Sequence, residues 1–186
     1  MTYDLSLLKV ETIFLDLRSA TKPELIAEMA GLLHRAGQIE DPADVIRAVT
    51  ERENRMSTGL TDGIAMPIGR VPSLGKPVLA LGIHRTGIDC ESMDQKPSRV
   101  FAMVLVPAAE GARAAQLEAA IARALTATPD RIASLVAARS VELCPGCRKV
   151  AVRLFAPGGN WGEQQAPPPA HVQRPAGSRM AAFPGS

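Results

Sequence analysis

The segment Glu51-Arg-Glu-Asn-Arg-Met-Ser-Thr-Gly-Leu-Thr-Asp-Gly-Ile-Ala-Met-Pro-Ile-Gly-Arg70 runs from a charged stretch into a hydroxyl pair and then a series of turn formers. Arg52 offers a planar, permanently charged fork that suits a phosphate or carboxylate. Ser57 and Thr58 add hydroxyl groups, and Gly59, Gly63, Pro67 and Gly69 are turn formers. Each also has a plainer reading: an arginine on a helix is commonly a surface ion-pair partner, and Ser-Thr is an ordinary helix stop. Ile68, between Pro67 and Gly69, carries a hydrocarbon side chain without a lone pair.

Working outward, Asp41-Pro42 opens a helix that leads into this segment, with Val45, Ile46 and Val49 forming its inward face. Before it, Thr21-Lys-Pro-Glu24 reads as a capping box, with Pro23 in the first turn where no intrahelical N–H is needed. Leu25, Ile26, Met29, Leu32 and Leu33 mark one face of that helix, and Gly37 is its stop. Glu11 to Leu17 alternates and predicts a first strand.

Beyond the segment, Val78 to Ile83 and Val100 to Val106 are short apolar runs bounded by proline and glycine, the pattern of strands buried on both faces. Asp94 to Pro97 reads as a turn between them. A helix is predicted over residues 112–125, with Leu117, Ile121 and Leu125 spaced by four. Thr128-Pro129-Asp130 caps a final helix carrying Ile132, Leu135 and Val136. Helices alternating with strands indicate an α/β layered domain.

Composition narrows the function classes. At 186 residues a single domain with a short appendage is the default. A net charge of +2 is too small for a nucleic-acid footprint, and the arginines are scattered rather than striped. No apolar run is long enough to span a membrane, and the N-terminus lacks a secretory signal. Three cysteines do not make a disulfide framework, which points to a reduced, cytoplasmic setting. No cofactor is expected.

The segment at 51–70 resembles the active-site signature of the type-2 enzyme IIA domains of the bacterial sugar phosphotransferase system, in the fructose, mannitol and nitrogen-regulatory branch. That signature reads Arg-Glu, then Ser-Thr-Gly, a Gly, and Ile-Ala-x-Pro-His-Gly. The likeness runs from about Leu5 to Leu143. Gly87 to Pro97 is similar to the family's Ile-Asp…Asp-Gly-x-Pro turn, and Phe101 to Glu110 to its strand ending in Val-Pro-Glu. The resemblance implies a central mixed β-sheet flanked by helices, with residues 1–143 forming the domain, while composition makes 144–186 a Pro/Gly-rich tail expected to be disordered.

In active members, the resemblance implies, a small phosphocarrier protein passes a phosphoryl group to a histidine, and a second histidine and an arginine hold the transferred anion. A neutral imidazole nitrogen is nucleophilic near physiological pH, which is why the chemistry needs that residue type. On this reading the acceptor position is Ile68 and the second histidine position is Gln116, so no catalytic residue remains. Arg52, Ser57, Thr58 and Gln116 would form a residual phosphate pocket. The expected function is a regulatory module that binds a phosphocarrier protein, or a regulated transporter or kinase, as if permanently unphosphorylated. Ile68 reads either as drift or as added apolar area on the docking face. The alternatives are a phosphocarrier acting through another residue, with His84 the candidate, and a decayed or frameshifted paralogue.

Other chemistry is weaker. Cys144-Pro-Gly-Cys147 is a single CxxC that follows a helix, lacks the further ligands of a zinc site and lacks the strand-to-helix setting of a redox site. No metal site is expected. Cys90 fits a loop or a small packed apolar position, His84 a solvated strand end and His34 a helix surface. From Phe155 onward the sequence is too poor in apolar residues to order itself. The change of character at Cys144 also suits a recent extension or a shifted reading frame; a coding sequence with no helix-like continuation in the adjacent frame would rule out the latter.

Overall fold

The computed structural model describes residues 7–126, 136–137, 142–143 and 150–151. Its elements in order are β1 (Leu8–Leu17), α1 (Lys22–Arg35), α2 (Pro42–Glu53), β2 (Ile64–Ala65), β3 (Ile68–Val71), β4 (Val78–Ile88), β5 (Ser98–Pro107), α3 (Gly111–Thr126), β6 (Glu142–Leu143) and β7 (Val150–Ala151). Five strands form a mixed sheet in the order β1-β4-β5, with β2 and β3 both pairing the far side of β5. β1 runs parallel to β4, β4 antiparallel to β5, and β2 and β3 parallel to β5. The helices α1, α2 and α3 flank it.

Alternation along β5 explains the two layers. Phe101, Met103 and Leu105 face one side and pack with Leu25, Met29 and Leu33 of α1 and Val45 and Val49 of α2. Ala102, Val104 and Val106 face the other and pack with Ala114 and Ile121 of α3. A strand covered on both faces has no polar side to present, hence the unbroken apolar run. Full burial of one such side chain contributes roughly 1.5–3 kcal/mol.

The helix starts follow their sequence signals. Asp41 caps α2, its carboxylate accepting from the Ala43 N–H at 2.8 Å. Thr21 caps α1, accepting from the Glu24 N–H at 3.4 Å. The reciprocal half of the expected capping box differs: Glu24 reaches one residue further, to the N–H of Ala20 at 2.8 Å. β1 and β4 are longer than expected at one end each: parallel pairing with β4 begins at Leu8↔Leu79, and antiparallel pairing with β5 carries β4 on to Ile88↔Ser98.

β2 and β3 had no separate strand signal. They lie in one line along β5, from Ile64↔Val100 to Val71↔Pro107, interrupted at Met66-Pro67. Proline has no N–H for the ladder, while its carbonyl still accepts from the Val104 N–H at 2.8 Å. The expected helix after Thr128 falls largely outside the described residues, as do Cys144, Cys147 and the stretch from 155 onward. β6 and β7 pair with each other in an antiparallel ladder, Glu142↔Ala151 and Leu143↔Val150.

Candidate functional site

α2 meets β3 at the sheet edge, and a glycine makes the approach possible. A Cβ at Gly69 would come 2.8 Å from Val49 Cγ2 and 3.2 Å from Leu105 Cδ2. Without one, α2 sits close to β3, and the helix stripe Ala48, Glu51, Arg52, spaced as one helical face, comes beside Ile68. Arg55 and Met56, just past the helix end, Arg70 on β3 and Glu118 on α3 complete a cleft of about 620 Å³.

Ile68 forms the apolar floor. It is 5% exposed and belongs to the cluster under α3 with Val104, Ala114 and Ile121. It therefore offers a partner little apolar area, which corrects the expectation that it enlarges a docking face: burial against the sheet's own layer already covers it. Met56, at the rim, is 66% exposed. Arg52 donates from Nη1 to the Met56 carbonyl at 2.8 Å, folding the turn that ends α2; it makes no ion pair among the described residues.

Ser57, Thr58 and Gln116 are not part of the cleft lining. Ser57 Oγ donates to the Cys90 carbonyl at 2.5 Å. Thr58 Oγ1 donates to the Glu53 carboxylate, and the Thr58 N–H adds a second bond to it at 3.2 Å. Lys22 Nζ lies 3.4 Å from Glu53 Oε2 and 3.0 Å from Glu91 Oε2. These groups tie the start of α1, the end of α2 and the 89–92 loop together. Gln116 is exposed on α3, because the helix turns Ala114, Leu117 and Ile121 toward the sheet and leaves Glu118 at the cleft.

The electrostatics of the knot are asymmetric. Burial works against the Lys22 ammonium, but its hydrogen bond to Glu91 and the charges of Glu53 and Glu91 outweigh it and raise its pKa. Burial pushes the Cys90 thiol up to about 11, with the nearby Lys22 charge working the other way. Across the Thr61–Gly63 turn, the Asp62 N–H donates to Asp94 Oδ2 at 3.0 Å and holds that carboxyl below its usual range.

The remaining candidates lie elsewhere. His84 is 8% exposed, not solvated as expected: it sits inside β4, opposite Leu17, and its Nδ1 accepts from the Gly87 N–H at 2.9 Å. It does not line the cleft. His34 is exposed, with Nδ1 3.3 Å from the Ile39 carbonyl. Cys90 is buried in the α1/α2-side core. Among the described residues no cluster of three or more His, Cys, Asp or Glu side chains is placed to hold a metal, and no helix is long and apolar enough to cross a membrane.

Arg55, Arg70, Glu51 and Glu118 were missed at the sequence level. Two signals were present. Glu51, Arg52 and Arg55 have the sequence spacing of one helical stripe, although Arg55 lies past the end of α2, and Arg70 follows Ile68 by two, the spacing of one strand face. Glu118 had no local signal, since its approach depends on how α3 lies across the sheet.

The profile of the family described as phosphoenolpyruvate-dependent sugar phosphotransferase system, EIIA 2, matches residues 6–142. The chain is 37% identical over 113 residues to the fructose-specific EIIABC component of Bacillus subtilis (strain 168), a match covering 61% of this chain but only 18% of that much longer protein. It is 35% identical over 116 residues to the fructose-specific EIIA component of Haloferax volcanii, covering 62% of this chain and 75% of that one. Among solved structures it is similar to the nitrogen regulatory protein IIA-Ntr from Neisseria meningitidis, with 30% identity, a TM-score of 0.62 and coverage of 72% of this chain and 90% of that one. It is also similar to a chain of the Escherichia coli complex of enzyme IIAMTL with phosphorylated enzyme IIBMTL, with 25% identity, a TM-score of 0.54 and coverage of 71% and 98%. On the fold and these matches together, the chain belongs to the type-2 enzyme IIA family of the phosphoenolpyruvate-dependent sugar phosphotransferase system.

Proposed function

We propose that this chain is an enzyme IIA-like module that does not accept a phosphoryl group at the family position and works instead as a regulatory protein-binding unit, equivalent to the unphosphorylated form. One observation carries the reading: the side chain on the cleft floor is Ile68, 5% exposed and wholly hydrocarbon. Nucleophilic transfer needs a lone pair at that point, and Gln116, assigned by the resemblance to the second histidine position, can donate a hydrogen bond but cannot take a positive charge. The partner on this reading is a phosphocarrier protein or a transporter component, in keeping with the IIAMTL–IIBMTL complex among its structural relatives. Residues 1–143 would form the working domain, in a cytoplasmic setting.

The test is phosphotransfer from phosphoenolpyruvate through the general carrier proteins to the full chain. The expected result is no acid-labile label, whereas a labelled species would overturn the reading. The double substitution Ile68→His with Gln116→His then asks whether the cradle is otherwise competent. His84 is a poor alternative acceptor, because its Nδ1 already holds the Gly87 N–H and it lies away from Arg52. If labelling did occur, His84→Ala would decide whether that ring carries it.

A further inference from the structure

Three arginines, Arg52, Arg55 and Arg70, line the cleft together with Glu51 and Glu118. Among the described residues no ion pair joins any of these arginines to either glutamate. Among the described residues Glu118 Oε1 is buried and has no hydrogen-bond partner, an arrangement that native proteins rarely keep without a reason. The lining thus combines three arginines, two glutamates and the apolar side chains of Ile68 and Met56.

We propose that this cleft binds a small phosphorylated polyhydroxy compound without covalent chemistry. The arginines take the phosphate, since a dianion with three free oxygens can engage several guanidinium forks at once. The Glu118 carboxylate, part of the lining, accepts a hydroxyl of the same ligand. A bare inorganic phosphate fits less well, because it is small for a cleft of about 620 Å³ and has no carbon skeleton to cover Ile68. The carbon skeleton lies over Ile68. The proposal rests on the regulatory reading and gives it an input: a module that cannot be modified at residue 68 responds to occupancy by a free phosphate ester.

The experiment is calorimetric titration of the full chain with glucose 6-phosphate, glycerol 3-phosphate, glucose and inorganic phosphate. At least one of the two phosphate esters should bind saturably, roughly tenfold or more tighter than inorganic phosphate, with no binding of glucose. Arg70→Ala, at an exposed position, should weaken the ester by about tenfold, and Arg55→Ala supplies an independent second variant. Glu118→Gln should shrink the advantage of the ester over inorganic phosphate. No saturable binding of either ester up to about 10 mM, equal affinity for ester and inorganic phosphate, or binding indifferent to both arginine variants would each overturn the proposal. Phosphoryl labelling from phosphoenolpyruvate would instead sink the regulatory reading, so the two failures are separable.

Discussion

Ile68 and Arg70 stand two residues apart on the same face of β3, one buried as the floor of the cleft and the other exposed as its wall. The strand period of two places them together, and α3 decides that the first is covered and the second is not. The pair therefore separates two effects that a sequence motif merges: stability at 68 and electrostatics at 70.

Ile68→His should destabilise the fold by about 1–3 kcal/mol, because it replaces packed hydrocarbon with a ring that must hydrogen-bond in a nearly dry position. Arg70→Ala should change stability by less than roughly 0.5 kcal/mol. Urea denaturation of the two variants checks this, and equal midpoints would show that the floor is not packed as described.

Glu53 is the acceptor at the centre of the polar knot, with a side chain 7% exposed and partners in Lys22 and Thr58. Glu53→Leu removes the acceptor of the Thr58 hydroxyl and N–H and one of the two carboxylates beside Lys22, which keeps Glu91, so a loss on the order of 2 kcal/mol is expected. Glu53→Gln should lose less, since the amide oxygen can still accept from Thr58. A Glu53→Leu variant as stable as the wild type would mean the knot contributes nothing.

Gly59 lies against backbone: a Cβ there would meet Ser92 Cα at 2.7 Å and the Cys90 carbonyl at 2.8 Å. Gly59→Ala must push the 90–92 loop away and weaken the Ser57 hydroxyl bond to Cys90, costing roughly 1–3 kcal/mol. Hydrogen exchange should show the 89–96 loop loosened while α3 is unchanged.

Alkaline pH should lower stability through two groups with the same sign. The Cys90 thiol titrates near 11 when folded against 9.0 ordinarily, so above pH 9 the unfolded chain loses this proton first and folding weakens until about pH 11. The Lys22 pKa is raised above 10.5, so its contribution is complete below 10.5 and fades as pH rises through the higher folded value. A urea midpoint followed upward from pH 9 should fall, and Cys90→Ala should flatten the first part of the decline; a wild-type midpoint that rises over this range would contradict the assignment.

Much of the architecture was legible locally. The Asp41-Pro42 start, the Thr21 cap and the doubly buried β5 depend on interactions within a few residues or on simple periodicity. The interrupted β2–β3 line was not, because Met66-Pro67 breaks the pattern and only pairing with β5 shows it to be one edge. His84 was misread as solvated, since nothing in its neighbours along the chain tells of the Gly87 N–H folding back onto it.

What the residues alone determined is the set of local starts and stops, the two-sided strand, and the chemical fact that position 68 has no nucleophile. Such features depend on short-range geometry and atom type, which order along a chain records directly. Tertiary packing decided where the hydroxyls and charges went: Ser57 and Thr58 turned to Cys90 and Glu53, and Glu118 came to line the same cleft as Arg52, Arg55 and Arg70. Those outcomes depend on how α2 and α3 lie against the sheet, and side chains tens of residues apart become neighbours only once that core has formed.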